Sequence, residues 1–341
     1  MRKMILISIG LTAVFFILVI ASAQSAIAAP KYHWKFTNIQ PAGMIYTKYF
    51  NLLADMLTES TKGEVEITNY PAGELPYKAT DLLKICSKGI VDVVEVCPCF
   101  VSGEAPLLAL LDFPFLALNH KEMKTLRRVV TPYIFKDLRD RGVEVLELVY
   151  YGPRQITSSK PINNLEDLKG LKVRTAGSLE GSLIKLWNAV PTSIVWSELY
   201  TAAQRGIVDA IMTATPAIQQ SKVYEVCPYF FKINGALVHM FMCINSKSWN
   251  SLPEKNQKAM REAAKKWANI WTQKAIEDLE NKALNEMREK GDIKSVYELS
   301  IEDRINTRKK LIPILRAYVN KHMQPKGPMI FNKAVKALNI E

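Results

Sequence analysis

The sequence predicts an α/β fold in two lobes of related design. One observation is a unit that occurs twice, "DLLKICSKGIVDVVEV" at 81–96 and "ELYTAAQRGIVDAIMT" at 198–213. Another is that each unit ends in a continuous apolar strand fed by a helix, the pattern of parallel strands buried on both faces. A third is one helix-forming run from Pro253 to Lys290, longer than a single lobe needs. At 341 residues and 48% apolar composition the chain can fill two cores.

The N-terminus carries Arg2 and Lys3, an uncharged apolar run from Met4 to Ile20, and small residues with an A-x-A pattern at Ala26–Ala28. This order reads as a secretory signal peptide over residues 1–29, cleaved near Ala28 or Ala29. The run is long for a signal, so an uncleaved anchor is the alternative reading. No other segment reaches the roughly 18 apolar residues of a membrane span, and the rest of the chain is expected to be soluble and exported. Loss of Arg2 and Lys3 takes the formal net charge from +12 to +10. Lysine and arginine are spread along the chain and no zinc-finger or RNA-binding signature occurs, which argues against nucleic acid and leaves small anions as partners.

After the signal, residues 43–61 read as a helix and "EVEITNY" (64–70) as a strand. In each repeated unit an amphipathic helix is closed by Lys-Gly or Arg-Gly, where glycine takes the left-handed conformation, before "GIVD" opens the strand. "VEVLELVYYG" (143–152) is a further strand, with Arg154 just beyond it. "NLEDLKG" is a short helix ending at Gly170, "LKVRTAG" (171–177) a strand, and "SLEGSLIKLWNA" (178–189) a helix. The run from Pro253 to Lys290, at about 1.5 Å per residue, reaches roughly 55 Å and can brace two lobes. Residues 30–150 plus about 239–280 are expected to form lobe I, and residues 151–238 plus about 281–341 lobe II.

Arg174 sits near the carboxyl end of its strand, where open α/β sheets place ligands, and its planar fork matches a carboxylate or phosphate. The helix that follows adds positive potential there. The duller reading is an arginine paired with a nearby acid such as Glu180.

The five cysteines, Cys86, Cys97, Cys99, Cys227 and Cys243, suggest buried thiols or a Cys227–Cys243 bridge; "CPC" lacks the spacing of a redox or zinc motif. Four histidines stand apart, and no metal site or cofactor is expected. Hydrolase, zincin, P-loop and dinucleotide motifs do not occur. Glu198 and Asp209 could be imagined as an acid/base pair, but a helix first turn and a strand mouth explain them as well. The signal is recognition without chemistry.

Taken in order, "WKFTNIQPAG", "YPAGEL", "KGIVDV", "LLDFPFL", "YGPRQITSSKPI", "LEDLKGLKVR" and "NAVPTSIVWSELYTAAQRGIVDA" resemble the substrate-binding proteins of tripartite ATP-independent periplasmic (TRAP) transporters, of the DctP type. The resemblance spans essentially the whole chain after the signal. It implies a two-lobed periplasmic-binding-protein clamshell with a long helix bracing both lobes, a periplasmic location, a small organic anion as ligand and a membrane permease as partner. It also implies a protein that is not an enzyme, and a monomer is the default. By resemblance, Arg174 forms the bidentate bridge to the ligand carboxylate and Arg154 is a second arginine near it. Trp196 is either a wall against the ligand body or core. Family members that bind highly polar acids often carry asparagine where this chain has Gly177 and Thr213, which implies a less polar ligand body. First-lobe contacts are expected from Glu95, Cys97 and Asn38 or Gln40. The alternatives are an exported two-domain enzyme acting on a carboxylated substrate and a periplasmic ligand sensor.

Overall fold

The computed structural model describes residues 29–340 except Val195, so the expected signal peptide, save Ala29, lies outside the described residues. Ten strands follow in chain order: β1 (Tyr32–Pro41), β2 (Val65–Ala72), β3 (Val93–Val96), β4 (Val143–Ser158), β5 (Lys172–Thr175), β6 (Val190–Ser193), β7 (Ala210–Ala214), β8 (Tyr229–Lys232), β9 (Leu237–Asn245) and β10 (Ser295–Glu298). They join in the order β2-β1-β3-β9-β4-β7-β5-β6, with β8 on β4 and β10 on β8. Two α/β halves meet along β4.

Both repeated units take the expected form. Helices Leu82–Ser87 and Leu199–Gln204 end at Gly89 and Gly206, whose φ of 70° and 66° lie in the left-handed region, and the chain turns into β3 and β7. Each strand lies parallel to its neighbour, β3 to β1 and β7 to β5, and each is buried along its length. Burial on both faces is why the sequence runs apolar there without alternation.

β4 is the element that crosses between the halves. Its first part, Val143 to Pro153, pairs antiparallel with β9, and its last part, Arg154 to Ser158, pairs with β7. The changeover falls at Arg154, whose amide donates to the Ala236 carbonyl at 2.9 Å while its carbonyl accepts from the Gly235 amide at 3.0 Å.

The bracing helix runs from Glu254 to Ile270, passes through a π-helical stretch at Trp271–Asp278, and continues from Leu279 to Glu289. Asn256, Met260, Ala263, Ala264 and Trp267 recur at helical spacing on its buried face. Two indoles fix it: Trp267 Nε1 donates to the Tyr49 carbonyl at 2.6 Å, and Trp271 Nε1 to the Tyr150 carbonyl on β4 at 2.7 Å. The Leu279–Glu289 end packs on the Thr215–Gln220 helix of the second half.

The structure divides residues 281–341 rather than keeping them as one block with the second lobe. β10 joins β8. The helix Gly327–Ala337, by contrast, packs on His120–Asp140 of the first half, where Phe331 meets Phe113 at 5.9 Å between ring centroids and Lys333 Nζ donates to the Tyr133 hydroxyl at 2.8 Å. Packing there buries Ile330, Phe331, Ala334 and Val335 of the C-terminal helix. All five cysteines are free thiols. A Cys227–Cys243 bridge does not form because Cys227 belongs to a small cluster with Val208 and Phe230, whereas Cys243 lies on β9 in the main core.

Trp271 is fully buried, its ring centroid 4.8 Å from that of Tyr151 and 5.5 Å from that of Tyr46. Trp271→Ala removes this contact surface and the indole's hydrogen bond to the Tyr150 carbonyl, so it should destabilise the chain by about 3–5 kcal/mol. Ile301→Ala, at a 59% exposed position, should change stability by less than about 0.5 kcal/mol. Urea unfolding of the two variants beside the parent checks both values.

Candidate ligand-binding site

A cleft of about 570 Å³ opens between the halves. One wall comes from the end of β1, Tyr46 of the helix Ile45–Ser60, the end of β2 with residues 77–80 beyond it, and Cys97 with the helix Pro98–Val101; the other comes from β4, β5, β7 and the turn at Trp196–Glu198.

Arg174 occupies the third position of β5, whose neighbours β6 and β7 both run parallel to it. It is 3% exposed and lines the cleft. Its Nε donates to the Ile194 carbonyl at 3.0 Å and its Nη1 to the Met212 carbonyl at 3.4 Å, which anchors the base of the guanidinium to backbone. No acidic side chain among the described residues lies within ion-pair distance of it. Burial loosens its hold on the proton, with Glu180 opposing and Arg154 reinforcing that effect, yet a guanidinium keeps its charge. A buried cation without an ion-pair partner is chemically suited to an anion.

Arg154 is bound differently. Its Nε lies 2.9 Å from Glu180 Oε1, an ion pair without the alignment of a hydrogen bond. Glu180 also accepts the Ala176 amide at 2.7 Å through Oε2, so its carboxylate ties the start of the Ser178–Leu186 helix to β4. Burial works against the Arg154 charge, but Glu180, Cys99 and Asp112 outweigh it and hold its proton more firmly than usual. Glu180, the acid read as a dull partner for Arg174, serves Arg154 instead.

Of the other expected residues, Trp196, Thr213 and Cys97 line the cleft with the two arginines. Trp196 is half-buried there and packs on the Cys227 cluster, so it joins wall and core. Gly177 sits where the halves touch: a Cβ on it would meet the Cys99 carbonyl oxygen at 3.3 Å. Its φ of −159° is ordinary extended backbone, so space, not conformation, restricts this position.

Glu95 and Asn38 are not on the cleft wall. Asn38 is spent locally, donating to Asn69 Oδ1 at 2.9 Å and accepting the Gln40 amide at 2.9 Å, which presents Gln40 to the cleft in its place. Glu95 is fully buried on β3 and accepts the Ile39 amide at 3.0 Å. Burial pushes its carboxyl up to about 7 against the pull of the Tyr151 hydroxyl and the Ile39 amide, although the Tyr151 hydroxyl makes no well-aligned hydrogen bond. Asp112, buried near Arg154, is likewise pushed up to about 7 by desolvation against the pull of that cation.

Tyr46, Tyr77, Phe100, Tyr151 and Met240 also line the cleft. Sequence reasoning missed them because Tyr46 and Tyr151 follow the ordinary apolar periodicity of a helix and a strand, and only the meeting of the halves turns them into a wall. Glu198 reaches the cleft rim, whereas Asp209 is occupied by the Lys172 amide at 2.9 Å and Lys160 at 3.2 Å, away from the cleft. No group of His, Cys, Asp and Glu among the described residues could hold a metal ion. No helix among them is long and apolar enough to cross a membrane.

Comparison with known proteins agrees with this geometry. The profile of the family described as bacterial extracellular solute-binding protein, family 7 (DctP), matches residues 36–322. The 2,3-diketo-L-gulonate-binding periplasmic protein YiaO of Escherichia coli (strain K12) is 28% identical over 275 residues, 80% of this chain and 82% of that protein. The sialic acid-binding periplasmic protein SiaP of Vibrio cholerae is 27% identical over 228 residues, 65% of this chain and 70% of the other. Among solved structures, a TRAP periplasmic solute-binding protein from Desulfovibrio salexigens with bound orotic acid superposes with a TM-score of 0.80 at 23% identity, covering 90% of this chain and 99% of that one. The chain belongs to the DctP family of bacterial extracellular solute-binding proteins.

Proposed function

We propose that this chain captures a small organic acid in the periplasm, clamps its carboxylate on Arg174 and delivers it unchanged to a TRAP-type membrane permease. The observation that carries the reading is Arg174 itself: a guanidinium 3% exposed in a cleft between two lobes, anchored by carbonyls and lacking a carboxylate partner among the described residues. Relatives named for 2,3-diketo-L-gulonate and sialic acid, and a structural neighbour holding orotic acid, support a carboxylate as the group recognised. Arg154 and Thr213 complete the second-lobe side, and Trp196 forms a wall. Cys97 and Gln40 contribute from the first lobe, and Gly177 gives the lobes room to close on the ligand. Closure is driven by the ligand's greater affinity for the closed state. Family membership supports binding and release rather than turnover, and acid recovered from the complex should be chemically unchanged by NMR.

A charge-assisted fork in a buried site contributes about 2–3 kcal/mol, so Arg174→Ala should weaken binding of the acid by about 30- to 150-fold. Arg174→Lys keeps the charge but loses the fork and should fall between the two. Isothermal titration of protein refolded to remove carried-over ligand checks this, and equal affinity in parent and Arg174→Ala would sink the clamp.

Affinity should also fall with rising pH. Asp112 is neutral below its raised value of about 7 and gains a negative charge near Arg154 above it, which weakens the positive field in the cleft. Binding of an acid already ionised throughout should therefore weaken by roughly three- to tenfold from pH 6 to pH 8. Asp112→Asn should flatten that profile; an unchanged slope in the variant would remove Asp112 as its source.

A further inference from the structure

Among the described residues the cleft holds two buried guanidiniums, of which one, Arg174, has no acidic side chain within ion-pair distance. Arg154 has Glu180 at 2.9 Å, both side chains almost wholly buried, with Asp112 also facing it. Arg174 has carbonyls alone within bonding distance. The buried charge on the binding face therefore sums to one cation in excess, and ionisation of Asp112 or Glu95 would only reduce it. At the rim, exposed Lys78 and exposed Glu198 oppose each other and are screened by solvent. A ligand with one carboxylate neutralises the cleft, whereas a second carboxylate near Arg154 would meet a cation already shared with Glu180, and like charge beside it.

The walls narrow the class further. Tyr46, Tyr77, Phe100, Tyr151, Trp196 and Met240 present aromatic and thioether surface to the ligand body. Apart from the arginines, the polar groups on the wall with little exposure of their own are the Gln40 amide, the Thr213 hydroxyl and the hydroxyls of Tyr46 and Tyr151, since Lys78, Thr80 and Glu198 are exposed at the rim. A sugar acid spreads hydroxyls over every face of its ring, and those set against Phe100, Trp196 and Met240 would be buried without partners, a cost that a flat body with few hydroxyls avoids.

Resting on the clamp reading above, we infer that the ligand is a monocarboxylate with an apolar or aromatic body, and that Glu180 sets this preference by cancelling the charge of Arg154. Glu180 is a specificity-determining residue that never touches the ligand. Its effect is to make the second arginine unavailable. The substitution Glu180→Gln keeps the shape and an oxygen for the Ala176 amide but frees the Arg154 charge for a second carboxylate.

Isothermal titration of refolded, ligand-stripped protein with benzoate against terephthalate, and hexanoate against adipate, tests the charge count, and D-glucuronate tests the walls. Wild type should bind each monocarboxylate at least tenfold more tightly than its dicarboxylate counterpart and than glucuronate. Glu180→Gln should raise dicarboxylate affinity at least tenfold, closing or reversing the gap. If dicarboxylates or glucuronate bind wild type as tightly as the apolar monocarboxylates, while Arg174→Ala abolishes binding, the clamp stands and this inference is overturned. If no probe binds, or Arg174→Ala binds them equally, the clamp reading falls and this inference with it. If Glu180→Gln folds and leaves the preference unaltered, Glu180 does not set it. Should the variant fail to fold, the wild-type comparison of matched pairs still decides whether the ligand carries one charge or two.

Discussion

Two arginines buried in one cleft impose the constraint around which the second lobe is arranged. A desolvated guanidinium without compensation is costly, and two of them repel. The chain resolves this unequally. Arg154, on the strand that passes between the halves, receives the Glu180 carboxylate; Arg174, two strands away across β7, receives carbonyl oxygens and, among the described residues, no acid within ion-pair distance. Glu180 thus links β4, the Ala176 amide and the start of the helix that follows β5. One arginine is built into the scaffold and the other, among the described residues, has no acidic side chain within ion-pair distance.

The same economy applies to the aromatic residues. Tyr46 and Tyr151 line the cleft on one side and stack on Trp271 on the other, and Trp271 bonds the carbonyl of Tyr150 on the crossing strand. The bracing helix, the crossing strand and the cleft wall are therefore one packed unit.

Much of the architecture was legible along the chain. Lys-Gly and Arg-Gly before "GIVD" marked two helix ends, and both glycines adopt positive φ where the sequence placed them. Arg174 near the end of a strand lines the cleft, and so do Trp196, Thr213 and Cys97. Asn38 and Glu95 do not, because the residue pattern along β1 and β3 marks a strand but not which of its positions border the cleft and which the core. Glu180 was visible as an acid six residues after Arg174, yet its side chain turns to Arg154, which no local pattern encodes.

Period, glycine placement and composition, which act through neighbours a few residues apart, settled by themselves that the protein is a two-lobed α/β chain with a long helix and an arginine poised at a strand end. Contacts between distant segments decided the rest. The pairing of Glu180 with Arg154, the aromatic wall from Tyr46, Phe100 and Tyr151, and the docking of Gly327–Ala337 on the first half each depend on surfaces that exist only after folding. The sequence placed two arginines at or beyond strand ends, and the tertiary structure decided which of them is paired with Glu180, because a counter-ion is chosen by distance in space and not along the chain.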